Sequence, residues 1–398
     1  MPHQRFRQLE PLLKKSISFS GITGIFGHRQ VGKTTLAAKL GGRYETLDNP
    51  LSLVKADTDP VGFLEEGRRS GLLVIDECQL SPVLFPSLKE WMRTHPQPGQ
   101  FLLTGSVRFS SRIAIRESLT GRLIAWELLP MDLSERTETA LPNQIPKLLK
   151  ARTVEIELKP RPQFSEKVVI QALEQGGLPG IFAVRDSSIR AQRFETMLNT
   201  ILERDLRLLL KTTLSYSTLR NLVAALALRQ AQPLEWASLS RQTRVSAPSL
   251  RKLIQAFEAM FLIRQMPTEG TERKSVLFFE DQGEATYMAG NRYDEGTQLL
   301  RFLYSELRHQ THYRPELNAQ MFQFRNRGGA HVPLCFRSGD SVLGIIPTIA
   351  ETPEPGSLAT ARAFLKAYPH SKLLFTHLGS KDTLIDSRIR CLGAKYLL

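Results

Sequence analysis

Gly27-His-Arg-Gln-Val-Gly32-Lys33-Thr34-Thr35 follows the apolar run Ile22-Thr-Gly-Ile-Phe26 and leads into Leu36-Ala-Ala-Lys39. The order is strand, glycine-bracketed loop, helix, and it fits G-x-x-x-x-G-K-[ST] in the setting that the pattern needs. Glycines let the backbone curl so that successive N–H groups face a phosphate chain, and the positive end of the helix adds to them. Lys33 supplies a point charge for the β- and γ-phosphates, and Thr34 a hydroxyl for magnesium. Gly27, His28, Arg29, Gln30, Val31, Gly32, Lys33, Thr34 and Thr35 are the expected ATP-binding residues.

Leu72-Leu-Val-Ile-Asp76-Glu77 reads as a buried parallel strand ending in two acids. Carboxyl ends of such strands are where ligands bind in open α/β sheets. Asp76 suits the magnesium ion, and Glu77 suits polarising the attacking water, because phosphoryl transfer depends on positioned charge more than on covalent chemistry. A pair of acids at this place favours hydrolysis over binding alone. A third strand, Gln100 to Ser106, again ends in small polar residues, of which Ser106 and then Thr104 are candidates to sense the γ-phosphate. Arg108, Arg112, Arg116 and Arg122 follow; one could act as an arginine finger, the others being solvated or paired with Glu117 and Glu127.

The 398-residue chain is long enough for two or three domains. Its 41% apolar and 23% charged residues are ordinary for a globular protein, and no apolar run approaches the roughly 20 residues of a spanning helix. No membrane association is expected. Cys78, Cys335 and Cys391 are few, odd in number and widely spaced, which fits a reducing compartment, the cytoplasm. His309 and His312 have no zinc-like spacing to other ligands and read as part of a solvated loop. The net charge of +14 favours polyanionic partners, and it is uneven: Arg185 to Lys252 holds 12 Lys/Arg against 5 Asp/Glu.

Beyond these patterns, Gly-His-Arg-Gln-Val-Gly-Lys-Thr-Thr-Leu at 27–36, Tyr-Glu-Thr-Leu-Asp at 44–48, Asp59-Pro60, Ile-Asp-Glu-Cys-Gln at 75–79, Leu-Thr-Gly-Ser at 103–106 and Leu-Thr-Gly-Arg at 119–122 together resemble a known family. It is that of the prokaryotic AAA-type (AAA+) P-loop ATPases with a C-terminal uncharacterised domain, often with a restriction-endonuclease-like end. The resemblance implies a three-layer α/β ATPase fold and Arg122, then Arg116, as the finger or sensor arginine. It also implies a ring-like or other homo-oligomer in which the finger acts in trans.

The expected organisation is a P-loop ATPase domain over 1–136, a linker over 137–163, a helical and winged-helix domain over 164–290, and a small α/β endonuclease-like domain over 291–398. The linker rests on Pro142, Pro146, Pro160 and Pro162 amid mixed charge and weak periodicity. Gln175-Gly-Gly-Leu-Pro179 and Leu202-Glu-Arg-Asp205 resemble the family's second domain; the charges Glu203, Arg204 and Asp205 on one helix are expected to pair within it. Leu234 to Ile263 reads helix, turn, capped helix, with Ser246 or Ser249 as cap and Leu250, Leu253, Ile254 and Phe257 on the inner face. A two-stranded wing is expected at Ile263–Met266 and Val276–Phe279. Ser249, Arg251, Lys252 and Gln255 would then face outward, where a groove-reading helix meets DNA or RNA, phosphate contacts ahead of base reading; contact with protein is the alternative.

In the last segment the order of elements resembles an endonuclease-like fold, but the carboxylates and lysine that metal-dependent cleavage needs are missing. Leu300 stands at the helix glutamate position, Pro333 at the strand aspartate, and Ile346-Pro347-Thr348 at Glu-x-Lys. The reading is an ATP-hydrolysing, magnesium-dependent oligomer coupled to a partner; a slow nucleotide-gated switch is the alternative, and an ATP-coupled nuclease is disfavoured.

Overall fold

The computed structural model describes residues 5–108, 119–161, 164–271, 274–290 and 292–398. Five parallel strands form the first sheet: β1 (Ile22–Gly27), β2 (Arg43–Thr46), β3 (Leu73–Asp76), β4 (Phe101–Gly105) and β5 (Leu123–Leu128), in the order β2-β3-β4-β1-β5. The inner strands β1, β3 and β4 are buried along their whole length, as near-continuous apolar runs require when helices cover both faces. Those helices include α1 (Glu10–Phe19) and α2 (Lys33–Lys39). The parallel central sheet with covering helices is the α/β fold that the resemblance implies.

The second region is built on helices. A continuous helical run starts as α3 (Ser187–Thr200), passes through a π-turn at Ile201–Asp205 and ends at Leu209. Next come α4 (Tyr216–Ala227), α5 (Trp236–Thr243) and α6 (Ala247–Ala259). Ser246 caps α6 by accepting the Ser249 N–H at 3.4 Å, and Leu250, Leu253, Ile254 and Phe257 are buried. Strands β6 (Ile263–Met266) and β8 (Val276–Phe279) pair antiparallel from Ile263↔Phe279 to Met266↔Val276. This hairpin is not a free wing. All of β8 is buried, and β7 (Thr268–Gly270), between the two, pairs with β9 of the next sheet. The run of Val276-Leu-Phe-Phe279, apolar on both faces, belongs in a core and not in a groove.

After α7 (Gln282–Ala289) and α8 (Glu295–His312), the C-terminal sheet has the order β13-β14-β12-β11-β10-β9-β7. Strands β9 (Gln320–Arg325), β10 (His331–Ser338) and β11 (Ser341–Pro347) make an antiparallel meander. Helix α9 (Pro355–Ala367) then crosses to β12 (Ser371–His377), parallel to β11. A hairpin of β13 (Asp382–Asp386) and β14 (Ile389–Gly393) closes the chain. Phe364 of α9 packs on one face with Phe324 and Phe375, while Phe302 and Leu303 of α8 lie on the other with Phe336 and Leu343. Leu300 and Pro333 are buried apolar residues here, and Ile346-Pro347 closes β11.

The described residues of the expected linker, 137–161, pack against the C-terminal core. A helix at Gln144–Lys150 buries Ile145, Leu148 and Leu149 in the C-terminal core together with Val154 and Leu158. Lys372 Nζ donates to Ala151 O at 2.6 Å, and Val154 N–H to Ser387 O at 2.9 Å. Pro146 sits in the first helical turn, where its missing N–H costs nothing, so the prolines did not preclude a docked helix. His309 and His312 are not in a loop either. They lie in the last turns of α8, where His309 Nε2 meets Pro130 O at 2.8 Å and His312 Nε2 meets Glu127 O at 2.9 Å. His309 also approaches Asp132 and Glu135, but Ser305 O holds its Nδ1 at 2.8 Å, so carbonyl oxygens engage both ring nitrogens and leave neither for a metal. No helix among the described residues is long and apolar enough to cross a membrane.

Candidate nucleotide site

Parallel strands place their carboxyl ends at one edge of the sheet, and here that edge carries the phosphate loop after β1 and the acids after β3. Gly32 adopts φ +98°, a conformation only glycine takes cheaply, and a side chain on Gly27 would lie 2.5 Å from Leu128 O. The loop therefore has the close backbone approach that glycine permits. Lys33 is buried, and its ammonium donates to Gly27 O at 3.1 Å and His28 O at 3.0 Å. Burial pulls its pKa below the ordinary lysine value, against the pull of Glu77 and Asp76.

Strand β4 lies between β1 and β3, so Thr104 and Ser106 stand between the loop and the acids. Asp76 is buried and receives three hydroxyls: Thr34 Oγ1 at 2.9 Å, Tyr44 OH and Thr104 Oγ1. Burial and the Asp76 carboxylate push the Tyr44 hydroxyl well up. An oxygen-only set of Thr34 hydroxyl and Asp76 carboxylate fits magnesium, a hard cation. Glu77 adopts φ +54°, a left-handed conformation that costs a non-glycine residue roughly 1–2 kcal/mol. Its carboxylate accepts from Ser106 Oγ at 3.2 Å and from Gln79 Nε2.

An open cleft of about 1080 Å³ runs past the loop. Its lining includes Lys33, Thr34, Thr35 and Glu77 of the first domain, Pro179, Ile189 and Arg193 of the second region, and Arg5 and Arg7. Arg7 was invisible to sequence reasoning because it precedes the first strand and belongs to no motif. Its guanidinium donates to Val31 O at 2.6 Å and to Leu129 O, and pairs with buried Glu135 at 3.1 Å. The expected pairing within the helix of Leu202-Glu-Arg-Asp205 is found for Glu203, which meets Arg207 at 3.2 Å, and at the limit of an ion pair for Arg204 and Asp205, 3.9 Å apart. Arg204 reaches Asp48 at 2.6 Å and Asp205 reaches Arg29 of the phosphate loop at 2.9 Å, so two of the three tie the second region to the first.

Arg122 sits just before β5, whose register with β1 runs from Ile22↔Leu123 to Gly27↔Leu128. It is thus one strand length, roughly 16–20 Å, from the phosphate end of its own sheet. Arg112 and Arg116 fall outside the described residues. Arg108 is fully engaged: it meets Glu127 at 2.8 Å and Glu280 at 2.7 Å, in a network completed by Arg264 and Arg308.

Residues 20–137 match the family model described as an AAA domain. The chain carries an AAA-type P-loop ATPase domain. Residues 166–294 match a second model, a domain of unknown function. Two curated proteins, uncharacterized proteins of Mycobacterium bovis and Mycobacterium tuberculosis, are each 27% identical over 258 residues, covering 64% of this chain and 51% of theirs. The chain therefore spans about half the length of the curated relatives it matches. Among solved structures, the Walker-type ATPase of Pyrococcus abyssi aligns with TM-score 0.41 at 17% identity, covering 70% of this chain and 94% of that one. AMPPCP-bound DnaA from Aquifex aeolicus aligns with TM-score 0.27 at 13% identity, covering 62% and 86%. The AAA domain as matched ends just beyond β5, before the helix at Gln144–Lys150.

Proposed function

We propose that the AAA domain binds ATP with magnesium and hydrolyses it, and that its nucleotide state moves the second and C-terminal regions relative to a partner. The observation that carries this reading is the joining of Thr34 to Asp76 at 2.9 Å beside Glu77, whose carboxylate accepts from Ser106 just past β4 and which lines the cleft. Thr34 and Asp76 would hold the magnesium ion, which supplies charge neutralisation on the β- and γ-phosphates. Lys33 leaves its two carbonyl partners to meet the same oxygens. Glu77 orients a water for attack on the γ-phosphorus and takes up its proton, and Ser106, on the Glu77 carboxylate, reports the γ-phosphate to β4. The leaving group is ADP.

Arg122, a strand length from its own site, serves in this reading as the finger of a neighbouring subunit, which makes the active form a homo-oligomer. Steady-state turnover across a protein concentration series tests this. Turnover per subunit should rise with concentration; a flat series would assign the chain as a slow switch with no finger in trans. Three buried free thiols fit the reducing cytoplasm.

A nucleic-acid partner is favoured by one specific observation. Arg251, Lys252 and Gln255 of α6 are exposed, as are Arg241 and Arg244 before it, and the four cations meet no carboxylate among the described residues. Ser249 is half-buried against the Ser246 hydroxyl at 2.9 Å and is less available. Replacing Arg251 and Lys252 together by alanine is expected to weaken binding of duplex DNA or RNA, with the slope of log affinity against log salt reduced by about 2. An unchanged slope in a fluorescence-anisotropy salt titration would assign this face to protein contacts.

A further inference from the structure

His28 lies inside the phosphate loop, but its side chain is buried against α7 of the second region instead of lining the cleft. Its Nδ1 faces Arg29 O at 2.6 Å, an atom that can only accept, so Nδ1 carries a proton. Its Nε2 lies 3.1 Å from Glu284 Oε2, and whichever of the two holds the second proton, the contact is a hydrogen bond between groups 256 residues apart. Glu284 is fully buried, and its other oxygen has no hydrogen-bond partner among the described residues. Breaking the contact therefore leaves a buried carboxyl without a donor and an imidazole nitrogen unsatisfied, which packing cannot repair.

What this contact holds is mechanically placed. The His28 carbonyl is one of the two on which Lys33 rests at 3.0 Å, so a shift of residue 28 moves both the lysine and the N–H groups that meet phosphate. On the other side, α7 is firmly seated. Asp281 caps it by accepting the Glu284 N–H at 2.9 Å, and also accepts the Gly177 N–H. Arg301 of α8 donates to Gln282 O and Thr286 Oγ1, each at 2.8 Å, and Glu280, just before α7, joins the buried network with Arg108, Arg264 and Arg308. Glu284 joins α7 directly to the phosphate loop, so a displacement of α7 bears on residue 28.

We propose that the His28–Glu284 hydrogen bond is a positioning contact that fixes the phosphate loop to α7, so that nucleotide affinity depends on how the second region is seated. The proposal rests on the ATP-binding reading above. Its test uses the full chain and the variants Glu284→Leu, Glu284→Gln, His28→Ala and His28→Ala/Glu284→Leu. Two readouts are taken: amide hydrogen exchange of residues 28–32 without nucleotide, and equilibrium binding of ATP with magnesium. Glu284→Leu should speed exchange in the loop and weaken ATP binding by about tenfold or more. Glu284→Gln, whose amide can donate to Nε2, should stay within about twofold. The double variant, which leaves neither group unpaired, should bind no worse than Glu284→Leu, because the two changes remove one shared contact; should the leucine variant fail to fold, the double carries the same test against wild type. Unchanged loop exchange and ATP affinity, with only a lower melting temperature, would overturn the proposal and make the pair a core contact. Additive losses in the double variant would overturn it too. A wild-type chain with no ATP affinity would instead sink the ATP reading, and loop exchange alone would then decide the positioning role.

Discussion

Glu77→Gln is expected to keep ATP binding and to slow hydrolysis by about 10²–10⁴-fold, the range that removal of a positioned acid–base group produces. The substitution preserves shape and the hydrogen bond from Ser106, and it removes only the negative charge that orients water and accepts its proton. Binding survives because Lys33, Thr34 and the loop amides are untouched. Single-turnover hydrolysis and ATP binding, measured side by side, separate the two. A variant that hydrolyses like wild type would show that Glu77 is a strand-end acid with no part in the chemistry, and its left-handed backbone would then need another explanation.

The second large effect concerns what joins the AAA domain to the rest of the chain. Glu127 on β5 and Glu280 before α7 are shared among Arg108, Arg264 and Arg308, with Glu280 fully buried. Glu280→Leu removes the buried anion and leaves Arg308, which is buried, and the partly exposed Arg108 and Arg264 each short of one partner, a loss of about 3 kcal/mol, the lower end for broken buried pairs. Glu203→Gln, which breaks the exposed pair with Arg207, should cost no more than about 1 kcal/mol and serves as the control. The pH dependence has a definite sign. Burial alone would raise the Glu280 carboxyl, but Arg264 and Arg308 outweigh it and hold the group at about 2. A carboxyl depressed in the folded state adds stability above its unfolded value near 4.5, and that stability is lost as pH falls towards 2. Denaturant unfolding of wild type should therefore become easier through this acid window, and that of Glu280→Leu should change less. Equal stability of the two proteins at neutral pH would remove the network from the account.

How much of this was legible in the sequence depended on the range of the interaction. The phosphate loop, Asp76, Glu77 and the polar end of β4 follow from short segments whose chemistry is fixed by neighbouring residues, and the buried strands follow from unbroken apolar runs. Contacts between distant segments left no such mark. Arg7 reaches Val31, Leu129 and Glu135 from outside any motif, and the His28–Glu284 and Arg29–Asp205 contacts join residues far apart in the chain. Residues 137–163 misled for a different reason: prolines and mixed charge dominate the composition, while Ile145, Leu148 and Leu149 carry the helical spacing that docks the segment. The hairpin β6–β8 was visible as two short strands, but its burial comes from helices far along the chain on both sides, including α8, where Phe278 stacks on Tyr304.

Equilibrium binding of ATP with magnesium by the full chain and by Lys33→Ala tests the central claim most directly. The account predicts saturable binding by the wild type and a loss of about tenfold or more when the ammonium that meets the β- and γ-phosphates is removed. Equal affinity in the two proteins, or no binding by either, would contradict it.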